Sequence, residues 1–130
     1  MKALLHIQLT AEVHEVPYQT TARHIINQYP EVSSFGLDNH SSAEMLDYAR
    51  EMIERTSQLL VLLECYSPDA KSGRLVSLLN TLIRKKPEHM ELVLLGAHPM
   101  VEKMGRTLGE RFHVRPDEQA LQKIKGRLFA

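Results

Sequence analysis

Two short apolar runs limit what this chain can become. QLLVLLE at 58–64 holds five consecutive aliphatic residues, Leu59 to Leu63, and MELVLLG at 90–96 is nearly as uniform. A strand with one face in water alternates apolar and polar side chains; these runs do not, so they are expected to be strands covered on both faces. That is the habit of parallel strands flanked by helices. Neither approaches the roughly 20 apolar residues of a membrane span.

The covering layers are legible on either side. ALLHIQL at 3–9 reads as a first strand. Pro17 suits a helix start, and Ala22, Ile25, Ile26 and Tyr29 fall on one helical face before Pro30. A short polar strand is expected near Ser34 to Leu37. Ser41-Ser42-Ala43-Glu44 has the form of a capping box opening a helix that buries Met45, Ala49, Met52 and Ile53. After the 58–64 strand comes a helix to about Lys86 with Leu75, Leu78, Leu79, Leu82 and Ile83 inward. After the 90–96 strand, Pro99 begins a fourth helix, interrupted by Gly105 and Gly109. These glycines imply either close packing or an early helix end. His113-Val114 reads as a fifth strand, and Pro116 as the start of a last helix burying Ala120, Leu121, Ile124 and Leu128.

Five strand–helix units with short loops predict one α/β domain over residues 1–130. Its architecture is three-layer α/β/α around a parallel five-stranded sheet. The two apolar strands and the first belong in the centre and the polar second strand at an edge, which favours the flavodoxin-like order 2-1-3-4-5.

Charge narrows the partners. Sixteen basic residues balance sixteen acidic ones, so nothing global draws the chain to nucleic acid or an anionic membrane. The single cysteine, Cys65, leaves no internal disulfide and fits a reducing cytoplasm. The opening MKALLHIQLTAEVHE is too interrupted for a secretory segment.

In such a sheet ligands bind at the carboxyl ends of the strands. The loops concerned carry Thr10, Glu12, His14 and Glu15; Asp38, Asn39 and His40; Glu64, Cys65, Tyr66 and Ser67; and Ala97 and His98. Glu64, at the end of an apolar run, is the candidate general acid or base. Lys71-Ser72-Gly73-Arg74, at the expected start of the third helix, is the candidate for holding a small anion, since a helix start offers free amides and the positive dipole end. Asp38, His40 and Ser67 complete the candidate ligand set. Cys65 is a nucleophile only with a base such as His14, His40 or His98 beside it, and a lone cysteine is ordinarily a small buried side chain.

Several chemistries are disfavoured. Neither G-x-x-x-x-G-K-[ST] nor G-x-G-x-x-G occurs, so ordinary P-loop and dinucleotide binding are not expected. No H-x-x-x-H or H-E-x-x-H spacing suggests a metal site, and the sequence does not identify a cofactor. A response-regulator receiver shares this alternation. It needs a phospho-accepting Asp after the third strand, where this chain has Glu64, and a Lys after the fifth, where none follows, so phosphotransfer is not expected.

FGLDNHSSAEMLDYAREMIERTSQLLVLLECYSPDAKSGRLVSLLNTLIRK, from residue 35, resembles in layout the TIR domains and their nucleoside-deoxyribosyltransferase-like relatives. A short strand ends near an Asp, a helix follows, and an apolar strand runs into Tyr and Ser before the next helix. The resemblance implies a flavodoxin-type fold and self-association. It does not carry glycohydrolase activity across: the helix SGRLVSLLNTLIRK lacks the glutamate that enzymatic TIR domains place there, and Leu9-Thr10 stands where a Ser-Tyr pair is expected. The leading expectation is a non-enzymatic, self-associating interaction module. The alternative is a binding protein or enzyme for a small molecule, a nucleotide or another phosphorylated ligand, with its site at the carboxyl edge.

Overall fold

All five strands join one parallel sheet, in the order β2-β1-β3-β4-β5. The computed structural model describes residues 1–11, 20–85 and 89–130. In chain order the elements are β1 (Lys2–Leu9), α1 (Thr20–Gln28), β2 (Ser33–Asp38), α2 (Ala43–Glu54), β3 (Gln58–Cys65) and α3 (Leu75–Lys85). There follow β4 (His89–Leu95), α4 (Pro99–Gly105), a 3₁₀ segment (Arg106–Arg111), β5 (Phe112–Val114) and α5 (Glu118–Phe129). The expected helix start at Pro17, the loop residues Glu12, His14 and Glu15, and the basic residue Lys86 lie outside the described residues.

The two apolar strands behave as their composition requires. Leu59 to Leu63 are wholly buried because β3 lies between β1 and β4 and is covered on both faces. One face takes Ala3, Leu5, Ile7, Leu59, Val61 and Leu63 against α2, α3 and α4. The other takes Leu4, Leu60, Leu62 and Val93 against Ala22 and Ile25 of α1 and Ile124, Leu128 and Phe129 of α5. No helix among the described residues is long and apolar enough to cross a membrane.

Local boundaries differ in instructive places. Ser42, not Ser41, caps α2: its side chain accepts from the Met45 amide, while the Ser41 hydroxyl accepts from the Asp38 amide and closes the preceding loop. The capping-box register is therefore off by one residue. The buried stripe is Leu46, Ala49 and Ile53, with Met45 left in solvent. α5 starts after Pro116, where the Asp117 carboxylate accepts from the Ala120 amide. The glycines of the fourth helix have separate explanations. A Cβ on Gly105 would come within 2.5 Å of the Phe112 ring, so α4 packs directly on β5; at Gly109 the chain leaves helical geometry.

Leu62→Ala is expected to cost about 2–5 kcal/mol in urea denaturation, since a fully buried leucine leaves a cavity the sheet cannot close. Met45→Ala, on the exposed side of α2, is expected to stay within about 0.5 kcal/mol.

Candidate functional site

The strand order puts the point of reversal between β1 and β3: from β1 the chain runs outward to β2, then returns to β3 on the other side. The carboxyl ends of these strands are where an open α/β sheet forms a crevice. Side chains at alternate positions of β1 point to the face covered by α1 and α5. His6 sits in register with Leu62, and Gln8 with Glu64.

A polar cluster is buried there. His6, Gln8, Thr10 and Glu64 are at most 6% exposed. His6 Nε2 lies 3.3 Å from Glu64 Oε1, an ion-pair contact not aligned as a hydrogen bond. The Tyr66 hydroxyl donates to Glu64 Oε2 and also bonds Gln8. Both His6 ring nitrogens, Thr10 Oγ1 and Glu64 Oε1 have no hydrogen-bond partner. Buried polar atoms left unsatisfied are scarce in folded proteins, and each needs a reason.

The electrostatics follow from this packing. Burial pushes the Glu64 carboxyl upward, but the close contact with the His6 ring and the bond from Tyr66 outweigh it, and the net effect holds the group below its ordinary 4.5. Tyr66 is pushed up to about 12, by burial first and then by its bond to the Glu64 carboxylate, so it stays a proton donor at neutral pH. Burial also raises Cys65, whose thiol donates to the Ser67 carbonyl, and a thiol held this way is a poor nucleophile.

Beside the cluster opens a cleft of about 260 Å³ lined by Thr21, Glu64, Cys65, Tyr66, Leu95 and Gly96. Gly96, at the β4 end of the cleft, lies against the Cys65 backbone. Its φ is +93°, and an added Cβ would meet the Cys65 carbonyl oxygen at 2.2 Å. A larger hollow, about 660 Å³, lies at the amino end of β4. Its buried carboxylate, Glu91, is fully engaged: it accepts from Arg127 at 2.6 Å, and His113 Nε2 lies 2.8 Å away, while the second acid of its lining, Glu110, is exposed. Size alone therefore does not choose the site; the unsatisfied chemistry lies in the smaller cleft.

The residues singled out in the sequence fall into two groups. Glu64 lies in the cleft, and Ser67 is joined to it through the Cys65 thiol. Asp38, His40 and the Lys71–Arg74 segment gather instead around Asn39, whose amide donates to the Thr10 carbonyl at 2.8 Å and the Lys71 carbonyl at 2.6 Å. Asn39 Oδ1 accepts from the Thr10 amide at 3.1 Å. Asp38 accepts from the His40 amide within its own turn. Gly73, at φ +56°, packs so close to Asn39 that a Cβ would lie 2.8 Å from its carbonyl oxygen. α3 begins after this turn, at Leu75. The Lys71 and Arg74 side chains are exposed.

His98 does not serve Cys65. Its ring caps α4, with Nδ1 accepting from the Val101 amide and Nε2 2.8 Å from the Ala70 carbonyl oxygen. His6, Gln8 and Asn39 were not singled out as functional. The signal for the first two was present, since His6, Gln8 and Thr10 place polar groups at alternate positions of an otherwise apolar strand. Among the described residues no group of three or more His, Cys, Asp or Glu side chains is arranged to hold a metal ion. No known protein-family model matches the chain, and no curated protein has a significantly similar sequence.

Because the folded Glu64 carboxyl is held below its ordinary value, the stability it contributes is present above the unfolded value. It is lost as pH falls through the folded one. Urea midpoints taken from about pH 7 to about pH 3 should therefore fall less steeply for Glu64→Gln than for the native chain, and equal slopes would remove this reading. Asn39→Ala should cost about 1–3 kcal/mol, because it strips partners from the Thr10 and Lys71 backbone groups.

Proposed function

We propose that the protein binds a small, uncharged ligand bearing hydroxyl or amino groups at the carboxyl edge of its sheet, with Glu64 as the group that accepts a hydrogen bond or a proton from it. The observation that carries this reading is the buried, unsatisfied set of His6, Thr10 and Glu64 atoms behind a cleft that Glu64 itself lines. A carboxylate kept ionised, with a tyrosine hydroxyl beside it, is equipped for general-base work or for holding a ligand hydroxyl. The described lining carries no lysine, arginine or histidine, which weighs against a phosphate in this cleft. A nucleoside or other sugar-bearing molecule matches the donor pattern better than a nucleotide does.

The anion expected at Lys71–Arg74 is a separate proposal on the neighbouring loop, and it rests on the exposed Lys71 and Arg74 side chains. Nothing in the buried cluster opposes a module that also self-associates.

Amide NMR titration with nucleosides, mononucleotides, NAD and inorganic phosphate tests both sites together. Nucleosides are expected to shift the amides of Glu64, Cys65, Tyr66 and Gly96 saturably, and Glu64→Gln to abolish those shifts. Any ligand product formed in the same tubes would make the protein an enzyme. Shifts confined to Ser72, Gly73 and Arg74 with phosphate would move the site to the anion loop. Unmoved amides at both places would refute a small-molecule site.

A further inference from the structure

β2 ends the sheet, and among the described residues no strand pairs with its outer side. Natural edges usually carry a lysine, a proline, a bulge or a covering segment that blocks further pairing. The strand SSFGLD has no lysine or proline, and its one charge, Asp38, is at its last position and engaged by the His40 amide. Ser33, Ser34 and Gly36 are exposed.

α2 runs beside this edge and presents an unusual stripe. Tyr48 stacks on Phe35 with ring centroids 5.1 Å apart, yet it remains 60% exposed. Met45 is 41% exposed. A hollow of about 250 Å³ opens between strand and helix, lined by residues that include Ser34, Phe35, Tyr48, Met52 and Arg55. On a helix of about 3.6 residues per turn, Glu44, Tyr48, Glu51 and Arg55 fall on one side within about 60° of each other. Glu44 stands in the first turn and Arg55 at the C-cap, and neither side chain has a partner among the described residues.

We propose that a second copy of this chain docks here, through antiparallel β2–β2 pairing about a two-fold axis with the two α2 helices antiparallel beside it. A two-fold interface must be self-complementary. The α2 stripe meets that condition when reversed about its midpoint between Tyr48 and Glu51: Glu44 of each copy then faces Arg55 of the other, and the Tyr48 hydroxyl faces the Glu51 carboxylate. The sheet continues across the axis, and the exposed Tyr48 is covered. The surface is separate from the cleft lined by Glu64, so dimerisation and ligand binding are independent claims.

Sedimentation velocity over a concentration series, with charge reversals, tests the pairing. The native chain is expected to dimerise. Glu44→Arg and Arg55→Glu should each weaken the dimer about tenfold or more by opposing like charges, and the double reversal should restore it. Tyr48→Cys should form a disulfide-linked dimer on mild oxidation, since the native Cys65 is buried. A chain that stays monomeric at about 100 μM overturns the proposal, leaving the edge to an extended peptide added as a strand. So does a dimer indifferent to both single reversals, because it must use another face.

Discussion

An ionised carboxylate inside a sheet covered on both faces is costly unless neighbouring groups answer its charge. Glu64 is in that position, and much of the site follows from how it is answered. His6 reaches it from β1 only because β1 is the neighbour of β3, an adjacency fixed by the order β2-β1-β3-β4-β5. Tyr66 reaches it because the chain turns as soon as β3 ends, bringing the hydroxyl back over the carboxylate. α1 and α5 exclude water from the same face. The unsatisfied atoms of His6, Thr10 and Glu64 are the remainder that these contacts leave, and of the three residues Glu64 lines the cleft.

The fold was legible where composition left one solution. Runs as uniform as 59–63 and 92–95 have to be covered on both faces, and SSFGLD is too polar and short to be central. The parallel sheet follows from those facts together with short connections, which favour the observed strand order without fixing it. Boundaries were less legible because competing partners sit side by side in the sequence. Ser41 and Ser42 are both competent caps, and only the loop geometry, which engages Ser41 with the Asp38 amide, decides between them.

The candidate site was half legible. Glu64 stood out because a charge ends an apolar run, but its partners come from far along the chain. His6 was hidden within a stretch read as a buried strand. Asn39 was hidden because its role is to bridge the backbone of Thr10 and Lys71, long-range contacts that no local pattern encodes. The same bridge ties the Lys71–Arg74 segment to the Asp38–His40 turn. Gly73 and Gly96 permit close approaches of backbone that a side chain would block.

The central claim is that Glu64 is a buried carboxylate kept ionised for use. The most direct test is the pH titration of its side-chain carboxyl carbon by ¹³C NMR, assigned by comparison with Glu64→Gln. The account predicts a midpoint below the ordinary 4.5, since the contacts from His6 and Tyr66 outweigh burial. A midpoint well above 4.5 would mean that burial dominates and the group is a neutral acid, which would contradict the proposed role as acceptor.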